Sequence, residues 1–363
     1  MTEQEIMPST TNEGTAPQKG EHLVDESNKR PGQTYWSLVK HQYKKNVLAV
    51  IAFYIVLVMA FVAIFADFIA NDKPLVASYK GTVYFPVIKD YLVDVGIGRW
   101  TPDLVLADWR DVKLDWVLWT PIRYESRNED LENTNAPPFT GAHILGTDGI
   151  GRDVLAGMVH GARISLSIGF VAAGIAIIIG VLLGAASGYY AGWVDISISR
   201  IIEIFLNFPT FFLIITIVAF MQSNIFMVMA VIGITGWTGI ARLTRGEVLR
   251  VRNMEYTTAA AAMGFSNWRI IIRHVLPNSM APVLVSAAFL VAGAVLTESA
   301  LSFLGFGVPA TIVTWGSVLN EARGATYAWW LAVFPGFAIF LTVLSYNLIG
   351  EGLRDALDPR LRD

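Results

Sequence analysis

The 363-residue chain contains no cysteine, which excludes disulfides, thiolate nucleophiles and cysteine metal ligands and leaves no cysteine usage from which to read a redox compartment. Its five histidines (His22, His41, His143, His160 and His274) are scattered. No two lie three or four residues apart, so a helical metal pair is absent. Charge is scarce as well: 16% of residues are Asp, Glu, Lys or Arg, against roughly 25% in an ordinary soluble domain. The formal net charge of −3 shows no basic excess of the kind that accompanies nucleic-acid binding. A Gly-x-x-x-x-Gly-Lys-[Ser/Thr] loop for cradling phosphates is also missing.

In place of charge the chain has apolar residues, 54% of the total, gathered into runs. A helix needs about 20 of them to cross a hydrocarbon core, and six such runs occur, at 47–66, 164–186, 196–221, 225–241, 280–304 and 329–349. They predict an all-α polytopic membrane protein. The first run starts too far along the chain for a cleavable signal peptide and reads as a retained span. Residues 1–33, rich in Glu, Thr, Ser and Pro, read as a disordered tail. In "TYWSLVKHQYKK" the apolar Trp36, Val39 and Tyr43 fall at helical spacing beside Lys40, Lys44 and Lys45. That pattern fits either a short helix at headgroup level or the first turns of the following span.

Lys44 and Lys45 precede the first span and place the N-terminus in the cytoplasm by the positive-inside rule. Six spans return the C-terminus there. Arg242, Arg245, Arg250, Arg252, Arg269 and Arg273 crowd the connection between spans four and five, and Arg354, Arg360 and Arg362 follow span six, all on the side the first span assigns. Residues 67–163 are too many for a bare loop. With Trp100, Trp109, Trp116, Trp119 and the Pro137-Pro138 pair they predict an extracytoplasmic subdomain packed around its aromatics. "GYYAGWVD", 188–195, reads as a tight turn at an interface or a short loop with an aromatic belt.

Between spans four and five, "ARLTRGEVLRVRNMEYTTAAAAMGFSNWRIIIRHVLPN" is rich in helix formers. Gly264 is expected to stop one helix, Ser266 or Asn267 to cap the next, and Pro277 to end it. The four consecutive alanines give the first helix a narrow side that another protein's groove can approach. Composition alone favours the alternative, a basic amphipathic loop resting on anionic lipid.

Polar residues inside the spans are few. Arg200 and Glu203 stand one helical turn apart and can pair, and Pro209, a turn further on, is expected to kink the third span. Glu298 near the outer end of the fifth span either lines a path or meets water and headgroups. These four are the candidate path or gate residues. Glu203 and Glu298 also keep open an ion-coupled secondary transporter or channel, although no pair of Gly/Pro-broken spans in matching halves supports it. Before the second span, Gly146, Thr147, Asp148, Gly151, Arg152 and Asp153 lack calcium-loop spacing, so helix capping and turn locking through Thr147 or Asp153 is expected.

The spacing Thr258-Ala259-Ala260, three residues, Gly264, nine residues, His274, one residue, Leu276-Pro277 resembles the cytoplasmic "EAA" loop of bacterial ABC-importer permeases. It departs at Thr258, where that family prefers Glu, and at His274, where it prefers Ile. "LGTDGIGRDVLAGMVHGARISL", "GYYAGWVD", "LNFPTFFLIITI", "RHVLPN" and "ESALSFLGFG" are similar to the C-type oligopeptide and dipeptide permeases. "ANDKPLVASYKGTVYFP" and "WVLWTPIRY" resemble the Yej-type permeases of oligopeptide and microcin C importers. The resemblance covers nearly everything after about residue 35.

It implies the type I ABC-importer permease fold: a tail at 1–33, interfacial helix and first span at 34–69, extracytoplasmic insertion at 70–145, permease core at 146–350 and a C-terminal tail at 351–363. It further implies a bacterial inner-membrane subunit, not an enzyme, that couples to an ATPase through a loop at 242–278, with Thr258, Ala259, Ala260, Gly264, Arg273, His274, Leu276 and Pro277 at its centre. The implied partners are a B-type permease, two ATP-binding cassette domains that hold ATP and Mg, an extracytoplasmic peptide-binding protein, a peptide and membrane lipid. No cofactor belongs to this chain.

Overall fold

The computed structural model describes residues 35–105, 107–221 and 224–358. The tail expected at 1–33 and the basic Arg360 and Arg362 lie outside the described residues. A short helix α1 (Tyr35–Lys45) is separated by Asn46 from α2 (Val47–Ile64), whose N-terminus Asn46 caps by accepting a hydrogen bond from Ala49 N. The two readings of the N-terminal stretch therefore resolve as a separate helix joined directly to the first span. Helix α2 buries only alanines, Ala49, Ala52 and Ala63, and turns its large residues outward, as a lipid-facing helix does.

A single helical turn α3 (Ala66–Ile69) leads into the insertion. There β1 (Val76–Tyr79) pairs antiparallel with β2 (Thr82–Tyr84) and with β3 (Trp116–Leu118), in the order β2-β1-β3. The β1–β2 turn uses Lys80 and Gly81, both at positive φ, the geometry that matches strand twist in a two-residue hairpin. Helix α4 (Pro86–Asp94) follows β2. Ala77, Leu104 and Trp109 form the insertion's core, with Trp100 and Trp119 packed against it, whereas Trp116 is half exposed on β3. The small sheet is confined to this insertion, and the membrane part is helical.

Helix α5 (Val154–Tyr190) is followed by α6 (Gly192–Asn207) and α7 (Thr210–Phe220), then α8 (Ile225–Arg252). Next come α9 (Glu255–Ala262), α10 (Asn267–Ile270), a π-helical turn (Ile271–Val275) and α11 (Leu276–Phe303). The bundle closes with α12 (Trp315–Glu321) and α13 (Trp330–Leu357). Among the described residues five helices are long and apolar enough to cross a membrane, and α6 with α7, bent by 83°, makes a sixth when the pair is taken as one span. The expected kink at Pro209 is thus a full break, in which the side-chain amide of Asn207 donates to the Glu203 carbonyl at 2.8 Å.

Helices α5 and α8 make the most intimate pair in the bundle. Gly180, Gly184 and Gly188, four residues apart, present a flat stripe to α8: a methyl group at Gly184 would stand 2.4 Å from the Ala241 carbonyl oxygen. Small residues let helix backbones approach in this way where lipid supplies no hydrophobic drive. Helix α8 also runs on to Arg252, so residues 242–252, expected in the connecting loop, are its last three turns.

Two further expectations need correction. Pro277 does not end a helix. The π turn lets Leu276 N reach back to Ile271 O, and Pro277 falls in the first turn of α11, where its missing N–H costs nothing. Asn278 and Ser279 side chains then serve the His274 and Val275 carbonyls at 2.7 and 2.8 Å. Glu298 neither lines an open path nor meets water: it is 0% exposed. It accepts hydrogen bonds from Ser302 at 2.7 Å and Ser165 at 3.3 Å, and small neighbours leave it room, with Gly316 against Ser299.

Candidate functional site

The segment from Asn253 to Leu276 is assembled from local backbone rules. Asn253 closes α8, its side chain bonding the Leu249 carbonyl at 3.1 Å, and buried Thr257 donates to Val251 O at 2.9 Å. Helix α9 then ends at Gly264, whose φ of +79° an L-residue rarely adopts. Gly264 N reaches Ala261 O at 3.0 Å and Phe265 N reaches Ala260 O at 3.2 Å, a Schellman arrangement. No atom lies within 4 Å of a Cβ placed at Gly264, so its conformation, not crowding, requires glycine. Ser266 occupies the cap position of α10 but makes no side-chain capping bond.

The inner face of this segment is fixed. Ala260, Ile270, Ile271 and Val275 pack with Ala185, Tyr189, Val248 and Val251 at the ends of α5 and α8, and Tyr189 donates to the Asn267 side chain at 3.1 Å. His274 stacks on Phe265 with ring planes 18° apart, and Arg269 lies over the same ring. The outer face is bare: Thr258, Ala259, Gly264, Arg273 and Pro277 are exposed, with Met263 at 66% and Trp268 at 70%. The Thr258 hydroxyl is turned back to its own helix, onto Glu255 O at 2.9 Å. Of the residues singled out from the sequence, only Ala260 is buried, His274 and Leu276 are half-buried, and the rest share this open side.

The remaining candidates do not form one cluster. Arg200 and Glu203 pair at 2.6 Å on the exposed side of α6, and Pro209 sits at the break. Thr210, beside it, lines a recess of about 170 Å³ with Ala172, Ala176, Thr235, Gly293 and Thr297 from α5, α8 and α11. At the opposite end of the bundle from α9, Asp153 caps α5 through Ala156 N at 2.7 Å and accepts from His143 at 2.8 Å. Asp148 holds Arg152 at 2.6 Å, and Arg152 reaches Glu321 of α12 at 3.2 Å. Thr147 accepts from Ala136 N at 2.8 Å and donates to Asn133 O. Gly146 and Gly151 have positive φ, and a side chain on either would strike backbone oxygen.

One ion pair beside this segment has no counterpart in the sequence analysis. Arg245 of α8 grips Asp195 of α6 through two hydrogen bonds of 2.5 and 2.7 Å, and Ser187 donates to the same carboxylate. It ties the start of the broken span to the helix that carries α9, beside Ala191, a residue held at φ +54°. Fifty residues separate the partners in sequence, which leaves no local signal.

The described helices thus form a bundle with one bent pair, α6 and α7, and a docked hairpin of short helices between α8 and α11. The chain belongs to the family of binding-protein-dependent transport system inner membrane components, whose model matches residues 167–363. Residues 34–82 match the N-terminal TM domain of oligopeptide transport permease C. The permease YejE of Escherichia coli is 37% identical over 90% of this chain and 96% of its own length. The peptidoglycan transport system permease YejE of Agrobacterium fabrum is 32% identical over 88% and 91%. The oligopeptide permease OppC of Haemophilus influenzae is 40% identical over 67% and 78%. Among solved structures, the MetNI methionine ABC transporter in inward-facing conformations aligns with 55% of this chain and 96% of its own, at 18% identity and a TM-score of 0.47. This is a multi-pass inner-membrane permease of the C type, similar to YejE: a transport component, not an enzyme, of a family that works with an ATPase and a second permease.

Proposed function

We propose that this chain forms half of the translocation path of an ATP-driven peptide importer and receives the ATPase's motion through residues 253–277. The observation that carries the reading is the two-sided character of that segment. Its inner face is packed on α5 and α8, while Met263, Trp268 and Ile272 stand exposed on the other. A rigidly mounted surface that leaves apolar side chains bare is suited to a partner's groove. Relatives named for oligopeptide, dipeptide and peptidoglycan transport share a peptide element in their cargo, which supports peptide as the substrate class.

In this reading the segment and both termini face the cytoplasm, with Lys44, Lys45 and the arginines of α8 on the positive side. The ATPase domains hold ATP and Mg, a B-type permease supplies the other half of the path, and an extracytoplasmic binding protein delivers peptide. The recess at the α6–α7 break lines this chain's share of the path. ATPase closure pushes α9, and the Arg245–Asp195 grip passes that push to the broken span.

The cysteine-free chain makes the test direct. Trp268→Cys and Met263→Cys, made in the whole importer in lipid, are expected to cross-link to a cysteine in the ATPase groove, with a yield that changes when ATP is added. Free labelling of both positions by a water-soluble maleimide during active uptake, with no cross-link, would overturn the assignment.

A further inference from the structure

Helix α4 of the insertion carries an apolar stripe on its outer side in addition to the apolar residues it buries. Its polar residues Lys89 and Asp90 turn inward: Lys73 bonds Asp90 at 2.6 Å, Trp100 donates to Asp90 at 2.9 Å, and Lys89 lies over the Trp100 and Tyr84 rings. Pro86 and Val87 are buried at its start, and beyond them a second set of apolar residues turns outward. Ile88, Tyr91, Leu92 and Val95 fall at i, i+3, i+4 and i+7, on one face, and all are exposed, Val95 at 71%. The helix ends on Gly96 at φ +81°, and Ile97 N returns to Leu92 O at 2.8 Å, a closure that brings Ile97, 75% exposed, beside Leu92. A helix in water buries such a stripe.

A side-chain hydrogen bond ties α4 to the bundle. The Tyr91 hydroxyl donates to Asp67, three residues beyond the last residue of α2. Arg163 clamps the same carboxylate at 2.8 Å and also donates to the carbonyls of Ala63 and Ile64. Ile64, Phe61 and Phe65 on α2 and just after it are themselves exposed apolar residues. The stripe on α4 is therefore tied to the end of the lipid-facing belt, where Tyr side chains with a wet hydroxyl are enriched.

We infer that α4 is an interfacial helix whose Ile88–Leu92–Val95 face lies in the lipid leaflet at the insertion end of the bundle, seating the insertion on the membrane surface. The inference rests on the family's inner-membrane placement, not on how the ATPase is coupled. Short amphipathic helices bind a bilayer in this way, with the apolar face a few ångströms below the headgroups. The occupant is lipid because the stripe of Ile88, Tyr91, Leu92 and Val95 contains no charged residue and is tied through Asp67 to the end of the exposed apolar surface of α2.

Single cysteines at Ile88, Leu92 and Val95, with Thr82→Cys on the hairpin as a control, are spin-labelled in the complete importer in lipid nanodiscs, and uptake verifies that each is folded. Collision with oxygen, which concentrates in lipid, is compared with collision with a water-soluble nickel chelate. The oxygen-to-nickel ratio is expected to be several-fold higher at the three α4 sites than at Thr82. A ratio equal to that at Thr82 would show a water-exposed face, and shielding from both reagents would show a protein partner instead. Either outcome overturns the inference.

Discussion

At the insertion end of the bundle, apolar clusters are joined by charged contacts between segments: His143 with Asp153, Arg152 with Asp148 and Glu321, Arg163 with Asp67, and Glu298 sealed among serines. At the other end α9 and α10 rest on α5 and α8 largely through alanine, valine and isoleucine, with backbone caps, the Tyr189–Asn267 hydrogen bond and the nearby Arg245–Asp195 pair as the polar ties. Directional polar bonds specify one arrangement, because a partner that moves away leaves a desolvated group unpaired. An apolar seat with a bare outer side keeps its own helices together and leaves a second surface for something else. The two ends thus differ in character, one tying the insertion to the helices and the other leaving a bare surface that the proposed function assigns to the ATPase as a handle.

The first way to break this comparison is to attack the helix pair that both ends share. Gly184→Leu drives a side chain into the Ala241 carbonyl and Thr244, and overpacking of this kind costs about 1–3 kcal/mol even where neighbours can shift. Loss of the permease from the membrane fraction is expected. Gly174→Leu, on the same helix but with nothing within 4 Å of the new Cβ, is expected to accumulate normally.

A smaller effect is expected at the one strong ion pair that crosses the helices near the handle. Arg245→Ala leaves Asp195 without its bidentate partner. Both side chains keep some solvent, 35% and 20%, so the loss is placed at about 1–2 kcal/mol, below that of a sealed pair. A thermal shift in detergent measures it, and Arg245→Lys is expected to recover only part, since an ammonium cannot make the forked contact.

Gly264→Val tests the handle itself. Forcing a β-branched residue to positive φ costs about 1–2 kcal/mol, spent locally at the α9–α10 turn. The variant is expected to reach the membrane in normal amount while peptide-stimulated ATP hydrolysis and uptake fall together. Gly264→Asn, which tolerates the left-handed region, is expected to keep most of both. Unchanged uptake in the valine variant would remove the handle from the mechanism.

These positions differ in how far the sequence alone could reach them. The spans were legible because apolar length is a one-dimensional property, and the Gly264 turn because a left-handed cap leaves a glycine in the text. Pro277 was misread because a π turn shifts the hydrogen-bond register, and no residue type announces that shift. Glu298 was misread because its serine partners come from α5 as well as its own helix. The Arg245–Asp195 grip links residues that only the fold brings together, whereas Gly180, Gly184 and Gly188 were there to be read. In "PVIKDYLVD" the amphipathic pattern is visible, but which face turns outward depends on where the bilayer ends.

The smallest expected effect separates two carboxylates at the insertion end by pH. Burial pushes the Asp67 carboxyl up, but hydrogen bonds from Tyr91 and Arg163 outweigh it and hold the group below its ordinary value of 3.8. Burial, with Asp72 adding like charge, raises Glu125 above its ordinary value of 4.5. The signs are opposite. Asp67 contributes stability that is present above its unfolded value and lost as pH falls through its lower folded one. Glu125 costs stability when charged, and that cost is relieved as pH falls through its raised folded value toward 4.5. Tryptophan fluorescence during urea titration of the whole permease, followed through Trp109 in the insertion core, is therefore expected to show a small gain in the insertion's stability on mild acidification. A loss is expected once pH drops below about 4. Glu125→Gln is expected to raise stability at neutral pH and abolish the gain, while Asp67→Asn lowers stability at neutral pH and flattens the loss. If both substitutions left the profile unchanged, the polar ties at this end would not be what holds the insertion down, and the apolar face of α4 would carry that task alone.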